Sequence, residues 1–149
     1  MRRESYSSRA AWTAFVERGE LVATPANGHK AAGRLRAGER NKTEAAYEQH
    51  LELRKQAGEI LWYAFEGITF KLAPDTRYTP DFAVLLASGI LECHETKGTT
   101  TLVRKSGQRV RAAYFQDDAK VKMKVAAAMF PIVFKVVYKV DGNWMEEEV

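Results

Sequence analysis

Three charged side chains sit where two apolar segments end: Asp81, after Pro80 in "YTPDF", and Glu95 and Lys97 in "ETKG". Thirteen residues separate the two acids, and one separates Glu95 from Lys97. Side chains alternate along a strand, so Glu95 and Lys97 share a face, with Leu91 and Cys93 deeper on it. If residues 82–86 and 90–97 pair as a hairpin through Ala87-Ser88-Gly89, its open end brings Asp81 beside Glu95. Two adjacent carboxylates repel, and one takes up a proton unless a cation stands between them. A hard divalent ion, Mg²⁺ or Mn²⁺, resolves that conflict, with Asp81, Glu95 and the Thr96 carbonyl as oxygen ligands. Such an ion lowers the pKa of a water and stabilises charge building on a phosphate. Lys97 beside it would orient or deprotonate the attacking water, or neutralise the pentavalent phosphorus centre. The plain alternative is a hairpin with a solvated polar rim, in which Asp81 is an ordinary turn residue.

The elements around this hairpin follow from local pattern. Residues 41–57 read as a helix of about four turns. Asn41 suits the N-cap with Glu44 completing a capping box, and Gly58 suits the position past the end. Tyr47, Leu51 and Arg54 lie on one helical face; Ala46, His50, Leu53 and Ala57 lie on a neighbouring one. Residues 60–73 are aromatic and β-branched, so they form one long strand or two short ones. "PDTRY" is a turn. Residues 99–111 make a polar, basic loop or small ribbon centred on Gly107. A second helix starts at the acids Asp117 and Asp118, which complement its dipole, and Val121, Val125 and Met129 form its stripe. Pro131 marks its exit, "IVFKVVYKV" is a strand, and Asp141-Gly142 turns the chain after it. This order implies an α/β (α+β) domain with a mixed central β-sheet flanked by helices.

The length of 149 residues and 46% apolar content suit one globular domain with an arm. The arm is residues 1–40 and the domain is residues 41–149. The single cysteine, Cys93, excludes an internal disulfide framework, fits a reducing compartment and is expected to be a small buried residue. No segment reads as a secretory signal or reaches the roughly 20 apolar residues of a membrane span. The expectation is a soluble, cytoplasmic protein with no membrane partner. Net charge is +4, but residues 1–42 hold nine basic and four acidic residues, leaving the remainder at −1. A basic arm on a near-neutral body suits a phosphate-backbone partner or is simply a solvated tail. Within the arm, residues 10–22 suit a short helix, and residues 24–40 read as a linker.

"TPDF…ETKG" resembles the PD-(D/E)xK nuclease motif, read as Pro80-Asp81, Glu95, Thr96 and Lys97. With the flanking Tyr78-Thr79, Phe82 and Gly98, it is similar to the phage endonuclease I enzymes, the Holliday-junction resolvases of that superfamily. The likeness covers residues 41 to about 140. It implies a restriction-endonuclease-like core, Mg²⁺ dependence, branched DNA as substrate, a homodimer, and the host cytoplasm as location. It also implies a further acid on the helix preceding the sheet. Glu44 matches that position, so catalytic Glu44, Asp81, Glu95 and Lys97 stand beside metal-binding Asp81, Glu95 and Thr96. The other reading of Glu44 is that it only completes the cap, and Glu48 is expected to be solvated. Arg104, Lys105, Arg109, Arg111 and Lys120 are the expected phosphate contacts. His94 is expected to be structural or solvent-facing, and His50 a satisfied surface residue. Tyr78 and Thr79 either line the DNA groove or pack.

The leading expectation is therefore a Mg²⁺-dependent endodeoxyribonuclease, selective for branched DNA. The alternatives are a non-catalytic nucleic-acid-binding or assembly protein on the same fold, and RNA cleavage in that fold.

Overall fold

A computed structural model describes residues 39–115 and 117–149. The helix expected at residues 10–22, and all of the basic arm except Glu39 and Arg40, lie outside these residues. The described chain is mixed α+β. In order its elements are α1 (Lys42–Gln56), β1 (Ile60–Phe65), β2 (Phe70–Ala73), β3 (Thr76–Tyr78), β4 (Phe82–Leu86), β5 (Leu91–Thr96), β6 (Thr99–Val103), β7 (Arg109–Ala113), α2 (Asp117–Met129), β8 (Val133–Val140) and β9 (Asn143–Glu148).

A five-stranded sheet runs β1-β4-β5-β8-β9, and two ribbons, β2-β3 and β6-β7, stand apart from it. Only β5 and β8 pair in parallel, so the sheet is mixed. Parallel neighbours need a long crossover, and the β6-β7 ribbon plus α2 supply it. The consequence is that the chain leaves the end of β5, directly after Glu95 and Thr96, to build the ribbon before returning.

Each face of the sheet is covered. On one side α1 sinks Tyr47 and Leu51 onto Ile60, Phe82, Val84 and Val137. Both α1 side chains are fully buried, which contributes about 2 kcal/mol each; Leu51→Ala would cost roughly 3 kcal/mol. The helix starts as its capping box requires, with Asn41 accepting from the Glu44 N–H and the Glu44 carboxylate accepting from the Asn41 N–H. It ends before Gly58, whose φ of +80° suits a residue without Cβ. On the other side α2 and the β2-β3 ribbon bring Phe70, Tyr78, Met123, Ala126 and Phe130 onto Ala83, Cys93, Phe134 and Val136.

Of the two readings of residues 60–73, two short strands is the one that forms: β1 joins the main sheet while β2 turns away to pair with β3. Two local expectations need correction. The turn expected over "PDTRY" is confined to Pro74 and Asp75, because Thr76–Tyr78 is already strand. On α2 the Val121, Val125 and Met129 stripe is exposed. The buried stripe is Met123, Ala126, Ala127 and Phe130, whose spacing of three and four places it on the opposite helical face. After Asp141-Gly142 the chain makes a further strand, β9, despite the acid run of "NWMEEE". Cross-strand partners offset the low strand propensity: Glu146 meets Lys135, and the Glu147 carboxylate accepts from the Tyr138 hydroxyl.

Candidate active site

Register decides which side chains meet at the open end of the β4-β5 hairpin. Phe82 faces His94 and Ala83 faces Cys93, so the next position outward sets Asp81 opposite Glu95. Asp81 is held there through its backbone: its carbonyl accepts from the Glu66 N–H at 2.7 Å. Its carboxylate Oδ2 accepts twice from Thr96, from the backbone N–H at 2.8 Å and from the Oγ1 hydroxyl at 2.7 Å. No hydrogen bond from a described residue reaches Oδ1, and that atom is not sealed from solvent.

Glu95 is gripped from two sides. The Tyr78 hydroxyl donates to Oε2 at 3.0 Å, and Lys97 Nζ donates to Oε1 at 2.7 Å. The Lys97 backbone N–H donates to the Val137 carbonyl at 2.9 Å, which extends the β5-β8 ladder and fixes the lysine stem. Lys97 Nζ also lies 5.7 Å from the centre of the Phe115 ring, and Lys120 Nζ lies 5.7 Å from the same ring. Phe115 therefore brings the first turn of α2 to the site, and with it a second cation.

The electrostatics of Asp81 are those of a carboxylate under pressure. It is 8% exposed. Burial, then the charge of Glu95, then that of Glu44 push its pKa up to about 8, against the Thr96 hydrogen bonds, which pull it down. Glu44 completes the α1 cap with hydrogen bonds of 2.7 and 2.8 Å from Asn41, and its charge adds a smaller upward push on Asp81. The Tyr78 hydroxyl is raised far above its usual range by burial and by the carboxylate of Glu95, so it stays protonated and donates.

The β6-β7 ribbon rises from the same end of β5. Arg104, Lys105, Arg109 and Arg111 are all exposed on it. Lys120 lies at the foot of the ribbon, over Phe115. Glu48 is paired with Arg40 at 2.8 Å. Cys93 is completely buried beneath the site, where burial raises its thiol above the usual range.

The opposite face of β5 holds a second polar system. His94 is fully buried, and thus not solvent-facing. Its Nδ1 lies 2.7 Å from the Tyr47 hydroxyl and its Nε2 lies 2.8 Å from Glu92 Oε2. Glu92 Oε1 pairs with Lys135 at 2.8 Å, and Lys135 reaches Glu146, which reaches Arg54. His50 sits beside the Tyr47 and Trp144 rings, and burial lowers its pKa.

Tyr78, expected to line the groove or to pack, is buried, and its contact with Glu95 was not foreseen; the signal for it is its place three residues before Asp81 in a β-favouring "TRY". Phe115 was not singled out, and no pattern in the sequence marks it. Thr96 also meets Asp81 through its N–H and hydroxyl, which orients the carboxylate.

Among the described residues, no three His, Cys, Asp or Glu side chains form a group that could hold a metal ion. A pair of carboxylates is nevertheless the usual protein share of a Mg²⁺ site, in which waters and substrate phosphates complete the shell. Hard oxygens, one of them without a donor, and a mutual repulsion that raises Asp81 fit a divalent cation in chemistry. No family model, curated protein or solved structure matches the chain.

Proposed function

We propose that this protein is a metal-dependent endonuclease that hydrolyses DNA phosphodiester bonds, on a restriction-endonuclease-like core, with branched DNA as its favoured substrate. One observation carries the reading. Asp81 and Glu95 stand opposite each other at the open end of the central β4-β5 hairpin, with a raised Asp81 and with Lys97 Nζ on Glu95. A merely solvated rim would not bury a carboxylate against two others of its own charge.

Asp81, Glu95 and the Thr96 carbonyl would hold Mg²⁺ or Mn²⁺. When bound, such an ion supplies an acidified water and neutralises charge on the phosphate. The chain's own residues do the rest. Thr96 and Tyr78 fix the two carboxylates in rotation, which lowers the reorganisation needed during reaction. Lys97, as an ammonium donating to Glu95, is suited to stabilising charge on the phosphate oxygens. Glu44 adds negative potential at Asp81 and favours cation uptake there. Lys120 and the ribbon cations sit where the phosphates flanking the scissile bond would run. A homodimer would present two such sites for paired nicks.

The test is a Mg²⁺ titration on a four-way junction and on linear duplex, comparing wild type with Glu95→Ala and Lys97→Ala. Wild type is expected to cut, with the junction preferred, and both variants to lose at least 10³-fold in rate while still binding DNA. Cutting by either variant at the wild-type rate would sink the assignment. Salt-sensitive binding with no product at any metal would instead favour a non-catalytic nucleic-acid-binding protein. Product from RNA alone would move the substrate.

A further inference from the structure

The β6-β7 ribbon is built unlike anything else in the described chain. Its 15 residues, 99–113, contain Arg104, Lys105, Arg109 and Arg111 and no acid. Ladder partners share a face, so the pairing sorts its side chains into two sides. Thr99/Ala113, Thr101/Arg111 and Val103/Arg109 lie on one side; Thr100/Ala112 and Leu102/Val110 lie on the other. Arg111 is steadied on its side by a 2.5 Å hydrogen bond to Thr99 Oγ1. The turn is tight, with Gly107 at a φ of +81° and Arg104 bonded to Gln108 across it, so the tip keeps a strand-like width.

Among the described residues, the base is anchored and the tip is not. Ala113 and Phe115 pack on the main core, and the Tyr114 N–H donates to the Gly98 carbonyl. Beyond that, Leu102 is 51% exposed and Val103 is 65% exposed. Two bare aliphatic side chains within an all-cationic ribbon suit a partner that offers both anions and apolar groups. A B-form major groove does so: phosphates line both walls, and thymine methyl groups lie on its floor. It is about 12 Å wide and admits a two-stranded ribbon, whose strands lie about 4.8 Å apart. The A-form RNA major groove is too deep and narrow for such an element.

We propose that the β6-β7 ribbon inserts into the major groove of double-stranded DNA next to the catalytic end of β5. Arg109 and Arg111 on one side and Arg104 and Lys105 at the tip contact phosphates; Val103 packs beside the arginines on that side, and Leu102, on the opposite side, faces the base edges. The ribbon thereby makes B-form duplex, flanking the cleaved bond, part of the substrate. This rests on the DNA partner of the preceding section but not on hydrolysis.

The experiment is fluorescence anisotropy of a 20-base-pair duplex with the full chain, without metal, at several salt concentrations. Arg109→Gln/Arg111→Gln is expected to bind roughly 50-fold more weakly at 0.1 M salt and to lower the salt slope by about 2. Methyl green, which occupies the major groove, is expected to displace the protein; netropsin, in the minor groove, is not. Leu102→Ser/Val103→Ser, which leaves the charge intact, is expected to weaken binding with the salt slope unchanged, and circular dichroism checks that each variant is folded. Unchanged affinity in the arginine variant, displacement by netropsin alone, or equal affinity for duplex RNA or anionic vesicles would each overturn the proposal. The nuclease reading fails separately, through Mg²⁺-dependent cleavage by wild type: a ribbon that binds as described in a protein that never cuts leaves this inference standing and removes the other.

Discussion

Asp81 and Glu92 are two nearly buried carboxylates on neighbouring strands, and their environments drive them in opposite directions. For Glu92, burial alone would raise the pKa, yet hydrogen bonds from His94 and Lys135 outweigh it and hold the group below its usual range. For Asp81, burial and the charges of Glu95 and Glu44 win over Thr96, and the pKa climbs. On the α1 face each acid has a matched cation or imidazole, from Glu92 through Lys135 and Glu146 to Arg54. At the hairpin's open end Asp81 lies against Glu95, and among the described residues Lys97 pairs with Glu95 while Asp81 has hydrogen bonds from Thr96 alone. A satisfied network holds a fold together. A carboxylate whose pKa is raised by its neighbours is the pattern more often met at functional sites than in structural networks.

Substitution separates the two most sharply. Asp81→Asn keeps an oxygen to accept from Thr96 but removes the charge. Cleavage should fall at least 10³-fold, while the melting temperature at pH 8.5 should rise by a few degrees. Rate and melting temperature measured on the same preparation check both signs; a fall in both would place Asp81 with the structural residues. Glu92→Gln should do the reverse. It removes the charge that Lys135 and His94 share, leaving them only Glu146 and Tyr47, and should cost about 3 kcal/mol and roughly 10 °C in melting temperature, with the cleavage rate per folded molecule kept. Loss of cleavage at full stability would erase the contrast.

The smallest effect is a pH dependence. The folded pKa of Asp81 lies above its ordinary 3.8, so the native state holds the proton more tightly. That stabilising contribution is present at low pH and is lost as pH rises through about 8. On the proposed function Mg²⁺ would compete with this proton, so 10 mM Mg²⁺, taken as about ten times its Kd, should raise the melting temperature by about 3 °C at pH 8 and by less at pH 6. Differential scanning fluorimetry at the two pH values checks it, with Asp81→Asn expected to respond at neither. Equal shifts in all three would place the ion elsewhere.

Much of the hairpin was legible in the residues alone. "FAVLL" and "LECHET" around Ala87-Ser88-Gly89 set strands, turn and register together, because a two-residue side-chain period leaves one pairing that buries Phe82 and Cys93. From that register the approach of Asp81 to Glu95 followed. The cap of α1 was equally readable, since Asn41 and Glu44 act within one turn.

Other features depend on residues far apart in the chain. Nothing local told the stripe of Val121, Val125 and Met129 from that of Met123, Ala126 and Phe130; which one is buried depends on how Phe70 and Phe134 meet the helix. Tyr78 reaches Glu95 only because β2 and β3 fold as a ribbon over the sheet. Lys97 and Lys120 share the Phe115 ring only because the crossover between parallel β5 and β8 carries Phe115 back to the strand end it left. Short-range pattern, dictated by alternation and capping, selected the acids and their strands. The charge balance around them arose from packing between distant segments, because Coulomb interactions and desolvation depend on distance in space and are blind to order along the chain.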